Sequence, residues 1–373
     1  MIMINKNGVA MKNTFGTSLT VTLFGESHGA EIGAVIDGLA PGIPVDEDWI
    51  ASQLTLRRPA GRISTPRQEA DAFRIVSGVF NGRTTGTPVA ILIPNTDTRS
   101  GDYQRGPARP GHADLTAWAK YHGFEDYRGG GHFSGRITAA LVAAGAIAIA
   151  ALRQKGILIG THIARCAGID DAPFTDLSVD LPRLNSLPFA VLDEARGQAM
   201  REAVEKAAAQ CDSVGGILET AVTGLPAGVG EPWFDTVESV LSHALFSVPA
   251  VKGVEFGSGF ALADMTGSQA NDPLRMQDGA PVTTTNHNGG VNGGITHGMP
   301  VLFRCVVKPT PSIAQEQQTV DPSAGEETVL TIKGRHDPAI VHRARVVVDS
   351  VTALALCDLL ALRYGTDWLA PND

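Results

Sequence analysis

Between Arg136 and Arg153 lies one near-continuous apolar run, Ile137 to Leu152, rich in Ala and with Thr138 as its single polar side chain. A helix built from it is hydrophobic all round and has no face to offer to water. The run falls short of the roughly 20 residues that a membrane span needs. It is expected as a helix from about Gly135 to Lys155, buried in a folded body. A chain of 373 residues can supply a core of that size. Its 43% hydrophobic and 18% charged residues exclude a disordered or coiled-coil chain.

Thirty Lys and Arg stand against 39 Asp and Glu, a net charge of −9. That balance argues against a nucleic-acid or anionic-membrane binder, so any anion must be held by a local basic cluster. Cys166, Cys211, Cys305 and Cys357 lie far apart with no CxxC pair. They read as reduced, mostly buried thiols of a cytoplasmic protein, without a disulfide framework or a structural zinc site. The start is no signal peptide, because the apolar run Met1 to Ile4 is short and Lys6 follows it. Residues 1–13 are expected as a poorly ordered extension, with Met11 an alternative start.

Leu19 to Phe24 and Ile32 to Asp37 read as paired strands around a Gly-Glu-Ser-His-Gly turn. Asp46 is a natural N-cap for a helix to about Leu56. Strands are expected at Val89 to Ile93, Ile157 to Ala164, Ile217 to Val222, Val254 to Leu262 and Val301 to Val307. Asp193 to Gln210 reads as an amphipathic helix, Asp235 to Leu245 as another, and Ala339 to Tyr364 as a long, largely apolar one. Residues 57–71, 95–114 and 309–327 read as polar loops. Val35 to Pro44 leads from strand to helix through Gly38-Leu39-Ala40-Pro41-Gly42, and Val222 onward does so through Gly224-Leu225-Pro226-Ala227-Gly228. Gly38 and Gly224 stand 186 residues apart (224 − 38), half the chain length. This points to a duplicated unit, with halves of about 14–155 and 156–364 in one intertwined domain and a short tail, 365–373.

Several segments carry chemistry. In Gly25-Glu26-Ser27-His28-Gly29 two glycines let backbone approach a ligand beside a His that can act as an acid near neutral pH. Arg57, Arg58, Arg62 and Arg67 fall within eleven residues, and Arg99, Arg105 and Arg109 follow in the next loop. Guanidinium forks suit phosphate and carboxylate; a solvated loop paired with Glu69, Asp97 and Asp102 is the plainer alternative. In Arg109-Pro110-Gly111-His112-Ala113-Asp114 the acid could orient the imidazole, or both could ligate a metal. Gly129-Gly130-Gly131-His132-Phe133-Ser134-Gly135-Arg136 opens onto the buried helix, where free N–H groups and the helix dipole favour an anion. Further along stand Asn286 to Gly294, rich in glycine, Lys308-Pro309-Thr310-Pro311-Ser312, and Arg335-His336-Asp337-Pro338. With Pro338 at the first helical position, Asp337 is also an N-cap candidate.

Taken together, these segments resemble the chorismate synthase family over about residues 14 to 364. The resemblance rests on Gly25-Glu-Ser-His-Gly, Gly131-His-Phe-Ser-Gly-Arg-Ile-Thr and Arg335-His-Asp-Pro in that order, with Arg57-Arg-Pro, Arg109-Pro-Gly-His-Ala-Asp and Lys308-Pro-Thr between them. His132, Phe133, Pro249, Pro311 and Asp349 depart from the family's usual residues. The resemblance implies an α+β fold, a β-α-β-α sandwich with internal duplication, assembled as a homotetramer (a dimer of dimers). It implies a lyase that converts 5-enolpyruvylshikimate 3-phosphate to chorismate and phosphate, a 1,4-anti elimination that needs reduced FMN without net redox change.

By the same resemblance, His28 would protonate the departing phosphate, His112 would lie near the flavin pyrimidine, and Asp337 would act at flavin N5. Ser27, Arg57, Arg62, Arg109, Ser134, Arg136 and Arg335 would hold the substrate's anions. His132, Phe133, Ser134, Pro249, Ala250, Gly293, Lys308, Pro309, Thr310, Pro311, Ser312 and Arg335 would line the flavin. The absence of a long insertion favours an external NADPH-linked reductant. Two other readings stand beside it: a binding module without catalysis, and a zinc or manganese phosphohydrolase built on the His and Asp residues.

Overall fold

The computed structural model describes residues 13–59, 61–65, 69–98, 101, 105–332 and 337–371. The N-terminal extension, apart from Asn13, and the choice between Met1 and Met11 lie outside the described residues, as does Arg335.

Two antiparallel five-stranded sheets face each other across a layer of helices. The first runs, in spatial order, Thr14–Phe15, Thr20–Gly25, Glu31–Asp37, Val89–Pro94 and Arg74–Ser77. The second runs Ile169–Asp170, Leu158–Cys166, Gly216–Thr223, Val301–Val307 and Val251–Phe256. Four strands in each sheet follow the same path: a pair, then a strand delivered to the far edge, then one inserted between it and the pair. Helix α1 (Glu47–Arg57) fills the connection in the first half. Helix α5 (Val237–Ser247) fills it in the second, also with 11 residues. Each half ends in a long helix, α2 (Thr138–Gln154) and the terminal helix (Val341–Tyr364). Helices α3 (Leu177–Leu184) and α4 (Glu194–Ala209) lie outside the second sheet, completing a β-α-β-α sandwich.

The echo seen in the sequence is a structural equivalence. Gly38 and Gly224 both end a strand at positive φ, +86° and +77°. A Cβ on Gly38 would lie 2.0 Å from Ser18 O, and one on Gly224 2.2 Å from Gly156 O. Each of those carbonyls stands two residues before the partner strand, so only glycine closes either crossing.

The apolar run is buried as expected, and with its leading 3-10 turn it spans Gly135–Gln154, close to the bounds the sequence suggests. Gly135–Gln154 is long and apolar enough to cross a membrane, yet 83% of its apolar window is buried inside the fold. It crosses the terminal helix where Gly145 meets Ser350. The strand expected at Val254 to Leu262 begins and ends earlier, at Val251–Phe256, and a 3-10 turn, Gly259–Asp264, takes up the rest. The loop expected over 309–327 contains a strand, Glu316–Asp321, paired with Glu326–Thr331.

Asp358, on the terminal helix, accepts hydrogen bonds from the backbone N–H groups of Thr17, Ser18 and Leu19 at 2.7–3.1 Å. The last helix thereby pins the first strand pair, and the two halves cannot separate without baring a buried carboxylate.

The helix crossing yields a prediction of unusual sign. Alanine normally stabilises a helix over glycine by about 1 kcal/mol. At Gly145 its Cβ would stand 2.3 Å from Ser350 Cβ and 2.6 Å from Ser350 Cα. Backbone cannot yield as a flexible side chain does, and overpacking of this kind costs about 1–3 kcal/mol. Gly145→Ala is expected to lower the urea midpoint; a raised midpoint would show that the helices part freely here.

Candidate functional site

A cavity of about 1070 Å³ opens where the first turns of α2 and the terminal helix, the C-terminal end of α5 and the Arg-rich loops converge. It exceeds the roughly 300–1,000 Å³ of ordinary small-molecule sites. Its walls include Arg57, Arg58, Arg109, His112, Ser134, Arg136, Lys308, Asp337 and Arg343.

The three glycines hold its floor together. Gly129, Gly130 and Gly131 have φ of +60°, +83° and +54°. A Cβ on Gly129 would fall 2.4 Å from His28 Cε1 and 2.8 Å from Ser27 Oγ, while one on Gly130 would fall 3.0 Å from His112 Cε1. The glycine backbone thus threads between two histidines that are 84 residues apart in the chain (112 − 28). Ser27 N donates to Gly131 O at 3.0 Å. His132 Nδ1 donates to Gly25 O at 2.8 Å, which leaves Nε2 as the acceptor in the neutral ring. Asn95 Nδ2 donates to Glu26 O and Gly29 O and fastens the His28 turn from the other side.

His112 Nδ1 stands 2.7 Å from Asp114 Oδ1, and Arg109 grips the same carboxylate with Nε and one terminal nitrogen, both at 2.7 Å. Burial pushes the Asp114 carboxyl up, but hydrogen bonds from Arg109 and His112 outweigh it and hold the group well below the usual carboxylate range. Asp114 therefore orients both the imidazole and the guanidinium. The loop from Lys308 to Ser312 packs on this motif: Lys308 Nζ donates to Gly111 O, and Arg109 donates to Ser312 Oγ at 3.4 Å.

Arg57 and Arg136 both pair with Asp71, an acid that the plainer loop reading did not include. Arg57 Nε donates to Thr138 Oγ1 at 2.8 Å, and Arg136 Nε to Asn95 Oδ1 at 2.9 Å. Glu69 instead accepts from Thr96 and from Asp97 N. Asp102, Arg67 and Arg99 lie outside the described residues, as does the Arg62 side chain.

Asp337 is not a helix cap. The terminal helix begins at Val341, and Ile340 at its cap position makes no side-chain cap bond. The Asp337 carboxylate accepts from Thr65 N at 2.8 Å and is ion-paired with Arg343, whose Nε donates to Arg57 O at 2.8 Å. Ser134 is a true cap: its Oγ accepts from Arg136 N at the turn leading into α2.

Among the residues expected to line a flavin, His132, Phe133, Pro249, Ala250, Lys308, Thr310, Pro311 and Ser312 do face the cavity. Pro309 is not part of its wall, and Gly293 sits in the tight turn between Val291–Asn292 and Ile295–Thr296, also outside it. Asp349 is buried beside the second sheet, accepting from Thr161 Oγ1 at 2.6 Å and from Arg345 at 3.2 Å. Sequence reading missed Asp71, Asn95 and Arg343, all single polar residues with no motif of their own. It also missed the aromatic corner where Phe15 meets His243 edge-on at 5.3 Å.

The comparisons agree with this geometry. The family model described as chorismate synthase matches residues 19–361. A protein named chorismate synthase from Chitinophaga pinensis is 47% identical over 96% of this chain and 100% of its own. One of the same name from Thermococcus kodakarensis is 46% identical over 93% and 97%. A solved structure, "Crystal Structure of Chorismate Synthase", superposes with a TM-score of 0.75 over 94% of each chain at 26% identity.

His342, next to Arg343, gives the region a measurable pH signature. It is fully buried against Phe189, with Nε2 2.8 Å from Ser64 Oγ. Burial pushes its imidazole down from 6.5 to about 4. A His kept neutral in the fold favours folding fully above the unfolded pKa, and that contribution is lost as pH falls towards the folded value. Stability should drop by up to about 3 kcal/mol between pH 6.5 and pH 4. His342→Gln should flatten that slope in denaturant titrations at stepped pH; an unchanged slope would assign it to other groups.

Proposed function

Because the chain belongs to the chorismate synthase family, we propose that the cavity at the head of its two long helices is where it binds 5-enolpyruvylshikimate 3-phosphate together with reduced FMN. The reaction is the 1,4-anti elimination of phosphate to give chorismate, and the enzyme is a carbon–oxygen lyase. The observation that supports the placement is the glycine thread, which runs between His28 and His112 where Gly129 and His112 line a cation-bearing cavity.

The residues present fit a flavin. Val248 to Val251 and the terminal-helix face of Ile340, Ala344, Val347, Val351 and Leu354 form an apolar wall suited to a flat ring system. Lys308, Thr310 and Ser312 offer donors at its rim. Reduced FMN, when bound, supplies electron density that no side chain can.

The chain's own residues do the rest. Arg57, Arg109 and Arg136 neutralise a substrate that carries a phosphate and two carboxylates, with Arg62 and Arg335 assigned the same task. Two helix N-termini, those of α2 and the terminal helix, add their dipoles at the same place. His28 donates a proton to the departing phosphate oxygen. His112, its Nδ1 held by Asp114, exchanges a proton at Nε2. Asp337 accepts a proton as carboxylate, held in place by Thr65 N and Arg343. An external NADPH-linked system keeps the flavin reduced. Self-association as a homotetramer accords with three aromatic residues standing almost bare, Trp233, Phe234 and Phe260, at 84, 90 and 83% exposure. Cys166, Cys305 and Cys357, buried and unbridged, and Cys211, exposed and unbridged, accord with a cytoplasmic site.

Anaerobic assay tests the reading directly. Purified protein with dithionite-reduced FMN is expected to convert the substrate at full rate, and with NADPH and oxidised FMN to show little turnover. Comparable rates under both conditions would mean that the chain reduces its own flavin.

Asp337→Asn separates chemistry from structure. Asn keeps an acceptor for Thr65 N but cannot take a proton, so kcat should fall by about two decades or more. The denaturation midpoint is expected to stay close to that of the wild type. Turnover within about threefold of wild type would remove Asp337 from the proton path.

A further inference from the structure

Asp71 lies at the centre of the cationic wall. Its side chain is fully buried, at 0% exposure, although it faces a cavity. Its backbone holds φ at +51°, a region that non-glycine residues seldom adopt. Three guanidiniums meet it. Arg136 is ion-paired with Oδ1, while Arg57 and Arg58 each stand 3.6 Å from Oδ2.

The three arginines are not equivalent. The Arg57 and Arg136 side chains are 7% and 3% exposed. Both are also tied to the protein elsewhere, Arg57 to Gly135 O at 2.7 Å and Arg136 to Pro94 O at 3.1 Å. Arg58 is 34% exposed, and its side chain otherwise donates to Ala70 O, next to Asp71 itself. Its Nε and Asp71 Oδ2 are sealed from solvent, face each other beyond hydrogen-bond distance, and have no hydrogen-bond partner among the described residues. Remove the carboxylate and Arg57 and Arg136 keep their carbonyl anchors, whereas Arg58 loses the one charge that draws it to the wall.

We propose that Asp71 is a positioning residue: it holds Arg58 over the cavity, so that Arg58 adds a substrate-binding guanidinium and Asp71 acts only through it. The proposal rests on the reading of the cavity as the substrate site. It assigns Asp71 no contact with substrate and no proton. A carboxylate that served merely to stabilise the fold would act independently of Arg58. A carboxylate that positions Arg58 has no further effect once Arg58 is gone.

A double-mutant cycle on the full chain tests this, under anaerobic conditions with saturating reduced FMN. Asp71→Asn and Arg58→Gln should each raise the substrate KM about tenfold or more and leave kcat within about threefold, because a charge-assisted contact is lost and no proton transfer is touched. The double variant should show the KM of either single one, not their product. Inorganic phosphate binding, followed by calorimetry, should weaken in the same non-additive pattern. That readout needs no turnover, so it tests Asp71 even if the assigned reaction proves wrong. Independent, multiplicative effects on KM would overturn the proposal, as would a wild-type KM in Arg58→Gln. If Asp71→Asn does not fold, Asp71→Glu, whose longer side chain cannot hold the same geometry toward Arg58, takes its place in the cycle, with the same non-additive KM and phosphate affinity expected.

Discussion

Everything in this molecule depends on two apolar helices crossing close enough for their backbones to touch. Gly145 and Ser350 meet where any added Cβ would clash, and both helices are buried along most of their length. Small residues at a crossing shorten the distance between axes. Here that lets two sheets close over a single helical layer. The cavity forms where this layer stops, at the first turns of both helices. The helix ends there carry unsatisfied N–H groups, and the site meets its anions at the end of a dipole rather than along a groove.

At that end the chemistry is concentrated by glycine. Positions 129–131 all hold positive φ, and the backbone between them passes within reach of His28, Ser27 and His112. A side chain at either of the first two would displace an imidazole. The turn at Gly25 to Gly29 and the Arg109 to Asp114 motif are each ordinary loops. What turns them into one site is that this thread bonds to the first and stacks on the second. The electrostatics follow the same economy: Asp114 serves both Arg109 and His112, and Asp71 gathers guanidiniums from two elements.

Much of this could be read in the sequence where a local rule governs. Val301–Val307 alternates buried and partly exposed residues and has the bounds its pattern suggests; Asp46 caps its helix as its position suggests. Of the motifs singled out in the sequence, those at Arg57-Arg58, Arg109 to Ala113, His132 to Arg136 and Lys308 to Ser312 supply walls of one cavity, while Gly25 to Gly29 and Asn286 to Gly294 supply none. What was missed is what local rules cannot express. Helix α3 was hidden because Pro182 lies inside it, and Glu316–Asp321 because a strand with no buried face has no alternation to show. Asp337 looked like a cap since Pro338 follows it. The carboxylate is instead claimed by Thr65 N, a partner 272 residues away. Asp71 escapes a sequence reading for the same reason: it reaches Arg57 and Arg136 by the path of its backbone, not by its spacing.

Duplication explains how one fold provides two unlike walls. Helices α1 and α5 occupy equivalent places and end alike. Arg58 N donates to Thr55 O at 3.1 Å, and Val248 N to Leu245 O at 3.1 Å, and a proline follows each cap residue. Both ends face the cavity. The first half places Arg57 and Arg58 there, while the second places Ser247 and Val248. A symmetric pair of ends with like residues would have made either a purely cationic pocket or a purely apolar one. On the proposed reading, a substrate with three anionic groups and a flat apolar ring are not both served by one such lining, since buried charge needs partners and an apolar face needs none. Divergence of a repeated helix end solves this without altering the backbone. Asp71 and Asp114 balance the cations, while the apolar residues of the same cavity need no counter-charge.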